Sequence, residues 1–253
     1  MKRKLQNITN KATYFIAIIA ILLIWQMLCS FGVVPSFMLP SPVSVCQALV
    51  SEFSVLMGHV RVTLIEAMAG LAFGVVIGFV TAVLMDSYEV IYKAVYPLLV
   101  ITQTIPTVAI APLLVLWLGY EMTPKIVLIV IATFFPITIG VLDGLKSTDQ
   151  DAIRLMKSMG ATKFQVFTQL KFKSSLGSFF SSLKISVSYS IVGAVISEWL
   201  GGFEGLGVYM TRVKKSFAYD KMFAVIILIS VLSILLMGVV KVLRIKCMPW
   251  EQK

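Results

Sequence analysis

Six apolar runs separated by polar breaks organise the chain, near residues 12–34, 62–85, 95–118, 125–143, 179–201 and 222–241. Each is about the length a helix needs, roughly 20 residues, to cross about 30 Å of hydrocarbon. The pattern predicts an all-α membrane protein with about six transmembrane helices. One polar island, residues 147–170, lies between the fourth and fifth runs and reads as two short amphipathic helices hinged at Gly160. Ser147 with Gln150, or Thr148 with Asp151, offers a capped start to the first, and Thr162 with Gln165 repeats the arrangement after the glycine. Gly160 ends the first helix cheaply, and Ile153, Met156, Phe164 and Phe167 offer apolar faces at helical spacing. Such a unit is too short to span a bilayer and is expected as a loop over 146–174.

Composition fits that setting. Of 253 residues, 58% are hydrophobic and 13% charged, and the mean hydropathy is +0.94. Soluble domains are typically about 25% charged. A single transmembrane domain over 1–253 is expected, with no room for a separate soluble one. The net charge of +10 raises the question of nucleic acid, but the basic residues cluster at span ends. With the N-terminus inside, fifteen Lys and Arg fall on the inner side and six on the outer, namely Arg61, Lys125, Arg212, Lys214, Lys215 and Lys221, while Lys184 falls within a span. The positive-inside rule then puts both termini and the Gly160 unit in the cytoplasm. Met-Lys-Arg-Lys before an apolar run resembles a signal peptide, but the run stays uncharged from Ala12 to Ser51 without a small-x-small cleavage site, so an uncleaved first span is expected. Cys29, Cys46 and Cys247 form no disulfide framework or metal spacing.

Three spans carry features with a mechanism. Gly70, Gly74 and Gly78 repeat every fourth residue and bare one helix face for close packing. Pro97, Pro106 and Pro112 disfavour a straight third span. The polar stretch from Gln103 and Thr104 to Pro106 then reads either as a kink or as part of a pathway, because freed carbonyls in lipid need a protein or water partner. In the fifth span Ser182, Ser186, Ser190, Gly193 and Ser197 run along one face, with Lys184 and Glu198 near its ends. That face is expected to turn toward a cavity or a partner helix, although the two charges can instead snorkel to the interfaces.

Enzyme signatures are missing. His59 has no metal-ligand partner at sequence spacing, and Gly144-Leu-Lys146-Ser147 lacks the GxxxxGK[ST] spacing that surrounds phosphates, so the chain is not expected to hydrolyse ATP alone. No metal site is predicted. A secondary transporter would need intramembrane carboxylates with partners or an inverted repeat, and neither is visible in the pattern.

Several separated segments, in order, resemble one family. They are Leu39-Pro-Ser-Pro-Val-Ser-Val45, Thr104 through Gly119, Phe134-Phe-Pro-Ile137 with Asp143-Gly144, Gly193 through Gly201, and Gly205-Leu-Gly207. The chain resembles the integral membrane permease subunit of bacterial ABC importers, in the group that handles nitrate, sulfonates, taurine and thiamine precursors. The resemblance implies the type I ABC importer permease architecture in the bacterial inner membrane, with a cytoplasmic coupling helix between spans four and five. It also implies a second permease copy (a homodimer), two ATP-binding subunits that use ATP and Mg, an extracytoplasmic substrate-binding protein, and no cofactor bound by this chain. In that family the loop carries a motif written EAAxxxG(x9)IxLP. Counted from Gly160, its first three positions fall on Arg154, Leu155 and Met156, and its last four on Leu170, Lys171, Phe172 and Lys173, so the acidic residue and the proline are absent. Asp151, Arg154, Leu155, Met156, Met159, Gly160, Ala161, Thr162 and Phe164 are the expected ATPase-coupling residues. Gln103, Thr104, Pro106, Ser182, Ser186, Ser190, Gly193, Ser197 and Glu198 are the expected translocation pathway. The wording of spans three and four favours a thiamine-precursor pyrimidine or a riboflavin-like solute, with sulfonate, taurine or nitrate as the alternative.

Overall fold

A computed structural model describes residues 2–32, 34–35 and 38–252. The described residues contain helices and no strands: α1 Lys2–Ser30, α2 Pro42–Ser51, α3 Phe53–Ser87, α4 Glu89–Thr104, α5 Thr107–Leu118, α6 Met122–Lys146, α7 Gln150–Ser158, α8 Lys163–Val166, a π-helical turn Phe167–Lys171, α9 Phe172–Gly201, α10 Leu206–Lys215 and α11 Tyr219–Cys247. Among them α3, α6, α11 and the continuous rod Lys163–Gly201 are long and apolar enough to cross a membrane. The pair α4 and α5, bent by 99°, makes a fifth candidate, and the apolar part of α1, Ile16–Ser30, is shorter.

The chain divides into two compact units, the described part of 1–58 with Tyr209–Leu228, and His59–Val208 with the described part of 229–253. In the first, Ser41 caps α2 by accepting from the Ser44 amide, and Pro42 occupies the first turn, where its missing N–H costs nothing. Val45, Ala48 and Ala224 form its buried core, and the Trp25 indole donates to the Pro40 carbonyl at 3.1 Å.

The second unit is built on α3, α6 and α9. The glycine stripe of α3 meets α6 in step: a side chain at Gly70 would collide with Ile129, at Gly74 with Thr133, and at Gly78 with Ile137. Both series advance by four residues together, so α3 and α6 run parallel. In lipid, helices associate through close van der Waals contact rather than a hydrophobic drive, which is why a bare face matters. Against α9 the order reverses, with Gly140 facing Ser182 and Gly144 facing Ser175, so α9 is antiparallel to α6. Ala67, Ile129, Ile191 and Ala194 fill the centre of the three helices.

Local readings change in three places. The third apolar run is two helices that break at Ile105 and Pro106; Ile105 is extended, as a residue before proline prefers, while Pro97 and Pro112 stay inside α4 and α5. The polar island does not hold two free helices, because α8 passes through the π turn directly into α9. Finally, α7 is capped by Asp149, whose side chain accepts from the Asp151 amide at 2.9 Å. Ser147 and Thr148 instead donate to the Gly144 and Leu145 carbonyls at the end of α6. The last carbonyls of α6 need donors, and these two hydroxyls are nearest.

Candidate functional site

At one end of α6 and α9, the α7 and α8 unit turns sharply at Gly160. Its φ of +82° suits glycine, and the Ala161 and Gly160 amides donate back to the Met156 and Lys157 carbonyls, a Schellman closure. Thr162 and Gln165 then form a reciprocal capping box. Ile153 and Val166 are buried and hold the unit down. On its outer side Leu155, Met159 and Phe164 are 62%, 79% and 74% exposed. A hollow of about 340 Å³ lies beside them, lined by Met156, Met159, Gly160, Ala161, Gln165 and Gln169. Of the expected coupling residues, the structure therefore gathers Met156, Met159, Gly160 and Ala161 at this hollow and brings Leu155, Thr162 and Phe164 to the same exposed apex. Asp151 and Arg154 are also exposed and pair with each other at 3.3 Å, a surface contact that contributes little.

The opposite end of the same helices holds buried polar chemistry. Glu198, 1% exposed, accepts from the Thr63 hydroxyl at 2.7 Å and the Gly207 amide at 2.6 Å. The Thr63 oxygen accepts from the Leu206 amide at 2.9 Å, and His59 Nδ1 accepts from the Gly205 amide at 3.1 Å. Three successive amides of the segment after α9 are thus fastened by three side chains. Gly205, at φ +119°, and Gly207 leave the room that the Glu198 carboxylate occupies. Beside them the Lys125 ammonium meets Glu66 Oε1 at 2.5 Å, with both side chains buried, while Glu66 Oε2 has no hydrogen-bond partner. Thr63, Glu66 and Lys125 are missed by reading single spans. The available signal is an acid, Glu66, one turn from Thr63 inside an apolar run. Lys184 is exposed, and the buried cation among the described residues of this unit's spans is Lys125.

Between the two ends a cavity of about 280 Å³ opens at the α4/α5 break. It is lined by Thr102, Gln103, Ile105, Pro106 and Thr107, by Ile131 and Ala132 of α6, and by Tyr189, Val192, Gly193 and Ile196 of α9. The structure brings Gln103, Pro106 and Gly193 together here; Thr104 is exposed near them. The serine face of α9 lies elsewhere. Ser182 and Ser186 pack on α6, the latter donating to the Thr133 carbonyl at 3.4 Å, and Ser190 and Ser197 bond within their own helix. Small hydroxyl side chains let α6 and α9 approach while satisfying their own donors, so that face is an interface between helices. Glu198 lies in the buried cluster rather than on the cavity.

Comparison with known proteins adds a relationship to this geometry. The family described as binding-protein-dependent transport system inner membrane component matches residues 74–246. The formylaminopyrimidine transport permease protein ThiX of Halalkalibacterium halodurans is 41% identical over 218 residues, covering 86% of this chain and 87% of that one. The riboflavin transport system permease protein RibX of Chloroflexus aurantiacus is 26% identical over 240 residues, covering 93% and 89%. Among solved structures, the inward-facing MetNI methionine ABC transporter superposes with a TM-score of 0.68 at 19% identity, over 77% of this chain and 96% of that one, a likeness of fold.

Proposed function

The chain belongs to the family of binding-protein-dependent transport system inner membrane components, and on that premise we propose that it carries a small, uncharged heteroaromatic solute through the membrane, driven by a separate ATP-hydrolysing subunit. It is a multi-pass membrane permease subunit of an ABC importer, with the type I importer fold. The observation that carries the coupling reading is the apex at Gly160, where Leu155, Met159 and Phe164 stand exposed on a rigidly capped unit that continues into α9. Large apolar side chains so exposed on a short turn suit insertion into a partner's groove. Because packed helices shift as bodies, movement of that groove reaches α9, which lines the cavity through Tyr189, Val192 and Gly193.

The cavity also bears on the solute. Its polar groups are hydroxyls and one amide, with no charged side chain among the lining residues. An anion such as an alkyl sulfonate or nitrate, or the sulfonate group of zwitterionic taurine, would find no cation there, because Lys125 is engaged by Glu66. Tyr189 can stack on a planar ring, and Gln103, Thr102 and Thr107 can exchange hydrogen bonds with its edge. A thiamine-precursor pyrimidine of the kind named for the 41% identical relative fits this chemistry, with a riboflavin-like solute next. In this reading two copies of the chain form the pathway, an external binding protein delivers the solute, and both termini lie in the cytoplasm. ATP and Mg are used by the partner and not by this chain.

One reconstitution tests both parts. The permease is assembled with its ATP-hydrolysing and binding subunits in vesicles, and uptake of labelled aminopyrimidine, taurine and nitrate is measured with and without ATP. ATP-dependent uptake of the pyrimidine alone is expected, and uptake that ignores ATP overturns the reading. In the same assay Met159→Asp with Phe164→Asp is expected to cost on the order of 100-fold in solute-stimulated hydrolysis, as removal of two apolar anchors does at other interfaces, with membrane insertion unchanged.

A further inference from the structure

The joint between α8 and α9 is built differently from the rest of the rod. Residues Phe167–Lys171 form a π-helical turn, flanked on both sides by ordinary helix. Such turns are rare, occur as single-turn bulges within α-helices, and concentrate at functional positions. This one is held from outside. The Lys171 ammonium donates to both oxygens of Asp86, at 3.0 and 2.8 Å, and Asp86 stands at the last turn of α3 with its side chain 9% exposed. Phe172, the first residue of α9, lies edge-on to Phe79 of α3 at 6.1 Å and tilted against Phe167 at 6.4 Å. An ion pair and an aromatic cluster thus pin the π turn to α3.

The pin matters because of what α3 and the rod each do. α3 is locked to α6 along Gly70, Gly74 and Gly78, so its end is a fixed point within the unit. The rod has the exposed Gly160 apex on one side of the joint and the cavity-lining residues Tyr189 and Gly193 on the other. The rod also packs on α6 through Ser175 and Ser182. The ion pair at Lys171 adds an attachment at the joint itself, a point about which a pull on the apex would tilt the rod rather than slide it. The π turn holds one residue more than an α-helical turn, so it is also where the helix can gain or lose one residue of register, about 100° of rotation.

We propose that the Asp86–Lys171 ion pair and the π turn it closes form the fulcrum through which movement of the α7 and α8 unit is passed to α9, which makes Asp86 and Lys171 positioning residues for coupling. The inference rests on the reading of the Gly160 apex as the ATPase-docking surface. Neither residue needs to touch the solute or the ATPase; they act on where α9 turns.

The test is the stoichiometry of the complete transporter. Asp86→Asn, Lys171→Gln and the double Asp86→Leu/Lys171→Met are each assembled with the ATP-hydrolysing and binding subunits, and solute uptake is divided by ATP hydrolysed. Co-purification of the ATPase and its basal hydrolysis are expected to hold, while uptake per ATP falls on the order of fivefold or more in all three. The exchanged pair Asp86→Lys/Lys171→Asp is expected to regain part of it. The apolar double leaves no buried charge unpaired, so it keeps the test alive if a single variant fails to accumulate. Wild-type uptake per ATP in that double overturns the proposal. If instead the wild-type chain neither retains an ATPase nor depends on ATP, the reading of the apex fails, a result distinct from a coupled wild type with indifferent variants.

Discussion

Lys125 illustrates how a residue acquires its role from its surroundings. By sequence it begins the fourth apolar run as one more basic residue near a span end, yet it is 5% exposed and paired with Glu66 across 59 positions of chain. An ion taken out of water costs several kcal/mol unless its partner is close, and removing one member leaves the other uncompensated. Lys125→Met is therefore expected to destabilise the protein by ~3–5 kcal/mol, read as a large drop in the thermal denaturation midpoint of detergent-solubilised protein. Adding Glu66→Leu is expected to restore most of that loss, since neither charge then remains. A single variant as stable as wild type would mean that Glu66 finds another partner. This pair was not legible beforehand, because spacing along one span says nothing about which acid a distant lysine will meet. The sequence places Glu198 near the end of the polar face of the fifth span, and its partners, Thr63 and the Gly207 amide, emerge only when α3 and the segment after α9 come together.

At the scale of elements, the glycine stripe of α3 was the most readable feature, since a bare face every fourth residue has one physical use in lipid. What the stripe meets was not readable: Ile129, Thr133 and Ile137 of α6 carry no mark of their own. Gly74→Leu is expected to keep the protein from accumulating in the membrane, because its first side-chain atom already collides with Thr133 and overpacking costs at least about 1–3 kcal/mol. Gly58→Leu, on the same helix with nothing within 4 Å, is the control and is expected to accumulate normally. Immunoblotting of membrane fractions separates the two. The polar island behaved similarly. The Thr162 and Gln165 capping box and the Gly160 stop follow from local chemistry and are present. The first cap moved to Asp149 because α6 runs on to Lys146 and draws Ser147 and Thr148 to its own carbonyls. The π turn had no sequence signal.

For the whole molecule, orientation in the bilayer is the property with the widest consequence, since it decides which face meets ATPase and which meets the binding protein. The parallel run of α3 and α6 and the antiparallel α9 agree with the alternation expected of successive spans. Cysteine accessibility checks the direction. Cys46 and Cys247 are exposed, whereas Cys29 is partly buried. In a Cys29→Ser background, a membrane-impermeant maleimide is expected to label Cys46 in intact cells and Cys247 only after permeabilisation. Labelling in the reverse order would invert the topology and put the Gly160 apex outside.

The sequence by itself determined the setting and the helical periods, because the bilayer imposes length and apolarity on every span and lets few alternatives satisfy the backbone. It also determined the local punctuation at Gly160 and Pro106, where one residue type dictates the backbone it can adopt. Tertiary structure decided everything that depends on two distant segments meeting: the Glu66–Lys125 pair, the three amides fastened at 205–207, the serine face committed to α6, the cavity joining Gln103 to Gly193, and the π turn pinned by Asp86. The physical reason is that polar groups in an apolar medium must find partners, and which partners are within reach is a property of the packed helices rather than of any one of them.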